Sequence, residues 1–175
     1  YFGEDSFLLE GTDIADSLKE NKYDRLPASY KGFVREPVWN LSKNSAGLSI
    51  RFLSNSSVIT AKWELLNNFS MNHMPDTGIK GIDLYFKNND KWQYINTGIP
   101  RGFNNEYRLI DNMDNELREY KIFLPLYDGI KNIEIGVDNL SFIQKPKKSE
   151  RKPIIFYGTS ITQGACASRP GMAHT

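Results

Sequence analysis

A serine becomes a useful nucleophile when a neighbouring base takes its proton and preorganised donors receive the oxyanion that its attack creates. In this 175-residue chain the serine best set up for such chemistry is Ser160, within Gly158-Thr159-Ser160-Ile161-Thr162-Gln163-Gly164. A short apolar run, Ile154, Ile155, Phe156 and Tyr157, leads into it from the breaker Pro153. Such a run suits a strand buried on both faces, as in a parallel sheet. Gly158 then permits a tight turn, Ser160 falls at the carboxyl end of the strand, and Gly164 lets the backbone fold closely round it. The spacing is Gly-x-Ser-x-x-x-Gly, which differs from the Gly-x-Ser-x-Gly elbow and lacks the lysine of a phosphate-binding loop. On spacing alone two readings stand, a catalytic serine and a polar turn without chemistry.

Few other residues could complete a site. His174 lies close in sequence to Ser160, but a base must be oriented by a carboxylate and nothing local supplies one, so His174 reads as exposed or capping. His73, between Asn72 and Met74, is a candidate ligand contact against the plainer reading of a loop histidine held by backbone bonds. Asp83 sits between strand residues and reads as structural, bonding backbone amides. Trp39, Trp63 and Trp92, with nine tyrosines and ten phenylalanines, could furnish a sugar-stacking platform. Trp63 shares a face with Ile59, Ala61 and Leu65 and reads as core; Trp92, after a polar hairpin, is the exposed candidate for ligand contact. The Asn-x-Ser sequons at Asn40, Asn55, Asn68 and Asn139 are expected by chance in so asparagine-rich a chain.

The single cysteine, Cys166, excludes an internal disulfide and a cysteine-rich zinc site, and two histidines leave a metal with almost no ligands. No metal and no cofactor are expected. The 22 basic and 21 acidic residues nearly cancel to +1, so no field exists to steer nucleic acid or anionic membranes. A hydrophobic content of 39% and a mean hydropathy of −0.51 describe a soluble globular chain, and no apolar stretch approaches the ~20 residues of a membrane helix. The length suits one domain, or a smaller domain followed by part of another.

The elements that would position these residues are mostly strands. The first forty residues look irregular, with a short helix over 13–21 and breaks at Pro27 and Pro37. From Gly47 the period is two: Leu48, Ile50 and Phe52; then, after Ser54-Asn55-Ser56, Ile59, Ala61, Trp63 and Leu65; then Ile82, Leu84 and Phe86, with Asp83 on the opposite face. Asn88-Asn89-Asp90 turns into a strand over 92–95. Tyr120, Ile122 and Leu124, then Ile133, Ile135 and Val137, complete the set, with Asp128-Gly129 turning between them. Short strands without intervening helices predict an all-β fold, an antiparallel β-sandwich of jelly-roll type over 1–142. Lys145, Lys147, Lys148, Arg151 and Lys152 mark 143–153 as a basic linker. Residues 154–175 would then begin an α/β domain.

Two sets of residues carry a family resemblance. Residues 158–164, followed by Ala167-Ser168-Arg169-Pro170-Gly171-Met172, resemble the first block of the SGNH, or GDSL-like, serine esterases. Upstream, Gly81-Ile82-Asp83-Leu84-Tyr85 resembles the signature of the GxDLY domain that precedes the esterase domain in that family; Trp39-Asn40-Leu41-Ser42, Ser45-Ala46-Gly47-Leu48 and His73-Met74-Pro75 also fit. The resemblance implies that Ser160 is the nucleophile and one backbone oxyanion donor, with Thr159, Gly158 and Gly164 supporting the motif. It places the other donors, the base and its orienting aspartate in later blocks that these residues do not contain, so this chain by itself is expected to be inactive. It also implies an acylated carbohydrate or other small ester as substrate of the complete esterase, and a bacterial, exported protein, periplasmic or secreted. The first residue, Tyr1 rather than Met, is read as following a processed or omitted segment. The C-terminal remainder of the domain is the expected partner, with self-association through 154–157 as a further expectation. The competing reading is a carbohydrate-binding or structural sandwich without catalysis.

Overall fold

Alternation along the chain becomes alternation between an inner and an outer face once the strands pair. The computed structural model describes residues 1–150 and 152–174. Among the described residues nine strands form: β1 Leu8–Glu10, β2 Ser49–Ser54, β3 Ile59–Leu65, β4 Ile82–Asn88, β5 Lys91–Gly98, β6 Asn104–Ile110, β7 Arg118–Phe123, β8 Ile130–Val137 and β9 Ile143–Gln144. Three short helices accompany them: α1 Glu36–Ser42, α2 Asp76–Ile79 and α3 Ser160–Gln163.

All pairings between these strands are antiparallel. One sheet runs β1-β2-β7-β4-β5, with β9 sharing the β1 edge of β2, and the other runs β6-β3-β8. The fold is an all-β sandwich. Ile50, Phe52, Ile82, Leu84, Tyr120 and Ile122 from the first sheet meet Ile59, Ala61, Trp63, Leu65, Leu109, Ile133 and Ile135 from the second. Phe52 and Tyr120 stack at 5.5 Å between ring centroids, and the buried Trp63 satisfies its one donor on the Lys80 carbonyl at 3.1 Å. The β4–β5 hairpin closes on Asn89 and Asp90, both at positive φ (46° and 62°), the geometry that matches the right-handed twist of its strands.

Several elements differ from expectation. β6 escapes a period-two reading because Asn104, Asn105, Glu106 and Arg108 dilute its pattern. Asn105 nonetheless lies opposite Trp63, its side-chain oxygen accepting from the Arg101 and Gly102 amides. β1 is too short to show a period. Over 13–21 only a single 3₁₀ turn forms, Asp16–Leu18, because the Asp24 carboxylate accepts from the Asn21 amide and the Asn21 side-chain oxygen accepts from the Tyr23 amide, drawing the chain into a turn. Pro37 begins α1 instead of breaking the chain, since the first helical turn needs no proline N–H. The irregular N-terminal region is also part of the core, where it buries Phe7 and Tyr23.

The largest departure is at 154–157. These residues form no strand, and Ile154, Ile155, Phe156 and Tyr157 are 82%, 87%, 56% and 100% exposed. A strand exists only with a ladder partner, and none lies beside this run among the described residues. The segment is therefore not the buried strand that its apolar character predicts, nor is it covered by its own sandwich.

Candidate active-site segment

After the extended run, the chain enters α3 at Ser160, with Thr159 in the extended N-cap position. Gly158 and Thr162 approach so closely that a Cβ on Gly158 would lie 2.0 Å from the Thr162 hydroxyl. Gly164 ends the turn at φ 99°, a left-handed cap that favours glycine, and its amide donates to the Ile161 carbonyl at 3.0 Å. A side chain there would also strike Leu126 and Ala173, at 2.8 and 2.9 Å. Ser160 is exposed at the first helical position, where a helix leaves its amides without intrahelical partners.

A four-residue turn is too short to hold itself. The sandwich holds it. Tyr127 donates its hydroxyl to the Ser160 carbonyl at 3.2 Å, and Gln163 donates to the Leu126 carbonyl at 3.0 Å. Leu126 and Tyr127 are themselves tied to α2, their amides bonding the carbonyls of Gly78 and Ile79. A second small core of Ala46, Met74, Ile79 and Leu126, flanked by Met71, Tyr127, Ala167 and Ala173, fills the seam. Burial pushes the Tyr127 hydroxyl above its ordinary range, so it remains a donor well into alkaline pH.

Farther along, the Thr77 hydroxyl donates to the Ser168 carbonyl at 2.6 Å, and Arg169 turns back onto the outer face of the first sheet. Its Nη1 meets Asp83 Oδ2 at 2.7 Å and the Tyr85 hydroxyl at 2.6 Å. The same Asp83 oxygen accepts from the Gly171 amide at 2.8 Å, while Oδ1 accepts from the Thr97 hydroxyl at 2.7 Å. Asp83 is fully buried, and this pairing supplies both the counter-charge and the donors that a buried carboxylate requires. The guanidinium also covers Tyr94, 3.9 Å from its centroid.

The other candidates make no hydrogen bond to this arrangement among the described residues. His73 is exposed, with Nδ1 2.9 Å from the Asn72 side-chain oxygen, and His174 is exposed at the other end of the chain. Among the described residues, neither a histidine nor a carboxylate is hydrogen-bonded to the Ser160 hydroxyl. Trp92 is half-buried, and Lys121 lies 5.0 Å from its ring centroid, so one face is already occupied by a cation. No group of three or more His, Cys, Asp or Glu side chains is arranged to hold a metal among the described residues, and no described helix is long and apolar enough to cross a membrane.

The sequence motifs contained Asp83, Tyr85 and Arg169 but not their partnership, because 86 positions separate Asp83 from Arg169. Tyr127 carried no motif signal at all, and Gln163, although inside the serine motif, had no role assigned to it. Only a charge buried on the outer face of a strand, as the sequence places Asp83, could have hinted that a cation must return to cover it.

A family model for the N-terminal domain of SGNH-hydrolase-type esterases, the GxDLY domain, matches residues 3–143. The chain belongs to this family. A second model, for the GDSL-like lipase/acylhydrolase family, matches residues 151–175. A crystal structure assigned as a GDSL-like lipase from Bacteroides ovatus ATCC 8483 superposes with a TM-score of 0.90 at 40% identity, covering 98% of this chain and 50% of that one. The chain thus spans about half the length of that relative. The salicylyl-acyltransferase SsfX3 from a tetracycline biosynthetic pathway superposes with a TM-score of 0.59 over 82% of this chain and 40% of its own, and at 10% identity it shares the fold alone. A comparison with curated proteins returns no match.

The GxDLY signature now has a physical reading. A side chain at Gly81 would lie 2.4 Å from the Thr77 carbonyl oxygen, so the glycine lets α2 close onto β4. Leu84 points into the core, while Asp83 and Tyr85, on the opposite face of the same strand, grip Arg169. One strand therefore serves the sandwich core with one face and the serine-bearing segment with the other.

Proposed function

We propose that this chain supplies the accessory sandwich and the nucleophile segment of a serine esterase, and that Ser160 forms the acyl-enzyme. The observation that carries the reading is the placement of Ser160: exposed, first in a helical turn, with its carbonyl and the loop beyond it tied to a rigid sandwich. Attack of the Ser160 oxygen on an ester carbonyl, with its proton passing to a base, gives a tetrahedral oxyanion that the Ser160 amide can help to stabilise. Collapse releases the alcohol, and water then hydrolyses the acyl group. The base, its orienting carboxylate and further oxyanion donors belong to the rest of the domain. On this reading the 175 residues alone hydrolyse nothing, and the complete protein deacylates a small ester, with acetylated carbohydrate as the substrate class we favour.

The test uses the full-length protein and a chromogenic acetyl ester. Ser160→Ala should lower kcat by several orders of magnitude, as loss of a triad serine does. Ordinary turnover by that variant would reject the assignment. The 175-residue chain should match the uncatalysed blank, and release of acetate from acetylated oligosaccharides by the full-length protein would support the substrate class.

A further inference from the structure

Helix α3 has four residues and no side-chain cap bond, so its orientation must come from what it touches. Two sandwich side chains reach the segment at functionally telling points. Tyr127 bonds the carbonyl of Ser160 itself, and Asp83 holds the far end of the loop by bonding both the Arg169 guanidinium and the Gly171 amide. Asp83 is in turn fixed by Thr97, and Tyr127 by packing against the small core of Met74, Ile79 and Leu126. Both holders are therefore rigid, and both lie outside the segment that carries the serine.

We propose that Tyr127 and Asp83 are positioning residues for Ser160: the sandwich sets the angle of the nucleophile from outside the hydrolase domain, Tyr127 at the serine's own carbonyl and Asp83 through Arg169 and Gly171. This rests on Ser160 being the nucleophile. The plainer alternative is that these bonds only join two parts of a chain. The two differ in what they change, since a joint affects stability, whereas misplacing a nucleophile by about 1 Å costs on the order of a hundredfold in rate.

The experiment compares full-length Tyr127→Phe, Asp83→Asn, Arg169→Gln and the Asp83→Asn/Arg169→Gln double variant with the unmodified protein. It measures kcat and KM for a chromogenic acetyl ester, the rate of Ser160 labelling by a fluorophosphonate, and the melting temperature. Tyr127→Phe keeps the packed ring and removes only the donor. It should lower kcat and the labelling rate together, about tenfold, with KM and melting temperature unchanged. Asp83→Asn should slow both rates at least as much, and the double variant should be no slower than the worse single one, as a coupled pair requires. Wild-type kcat and labelling in Tyr127→Phe would overturn the proposal even if Asp83→Asn failed to fold. Ser160→Ala separates the two claims: its loss of turnover alongside a fully active Tyr127→Phe leaves the nucleophile standing and removes the positioning role, whereas its retained turnover removes both.

Discussion

Asp128 shows how one carboxylate can organise a loop. It is fully buried between β7 and β8 and accepts from the backbone amides of Asn67, Asn68 and Gly129 and from the Asn67 side chain, at 2.7–3.1 Å. Asp128→Ala would strand three buried or half-buried amides, and each unsatisfied donor costs roughly 1–3 kcal/mol. The variant should unfold at least about 3 kcal/mol more easily in urea, and a change below about 1 kcal/mol would show that water replaces the carboxylate freely. Asp138 makes a second such hub at the surface. Hydrogen bonds from Ser141 and Ser56, then from the Ser57 and Leu140 amides, hold its pKa down to about 2. A pKa lower in the folded than in the unfolded chain adds stability above the ordinary carboxylate range and loses it as pH falls toward 2. Titration followed by carboxyl-carbon NMR should place Asp138 near 2, and Ser141→Ala should raise it; a midpoint near 4 in the intact protein would contradict these bonds.

Among the elements, the seam between α2, the 126–127 strap and α3 is where sandwich and serine-bearing segment meet. Its closeness depends on small residues. Gly164 combines a left-handed backbone with contact against Leu126 and Ala173, so Gly164→Ala meets both a backbone penalty of about 1–2 kcal/mol and a steric one. The expected result is local: faster hydrogen exchange at the Ala165 and Gly171 amides, with the amides of β3 and β7 as protected as before. Exchange unchanged at Gly171 would show that the Asp83–Arg169 grip holds the loop without the α3 turn.

For the molecule as a whole, the sandwich should be a folding unit that includes its irregular N-terminal region. Phe7 and Tyr23 are each almost fully buried in the main core, and burying a large side chain contributes ~1.5–3 kcal/mol. A chain of residues 1–144 should give a strand-rich far-UV circular dichroism spectrum and a cooperative melt. Residues 40–142 alone, without Phe7, Tyr23, β1 and β9, should melt well below it. Equal melting temperatures would mean that the N-terminal region lies on the sandwich without supporting it.

How much was legible in the sequence differs by feature, for physical reasons. Period-two alternation in β2, β3, β4, β7 and β8 reveals strands because a half-buried sheet imposes it on every residue, and the Asn89-Asp90 turn is legible because few residues accept positive φ. The motif round Ser160 and the Gly81 to Tyr85 signature were enough to identify the family. The sequence was silent where an element borrows its stability from elsewhere: β6 is polar and held by its neighbours, β1 is too short for a pattern, and α3 rests on Tyr127. Residues 154–157 misled for the same reason, since an apolar run specifies that it must be covered but not by what. The grip of Asp83 on Arg169 was decided by tertiary structure alone, because a contact between residues 86 positions apart becomes defined only when the chain has folded and the buried carboxylate must find its cation.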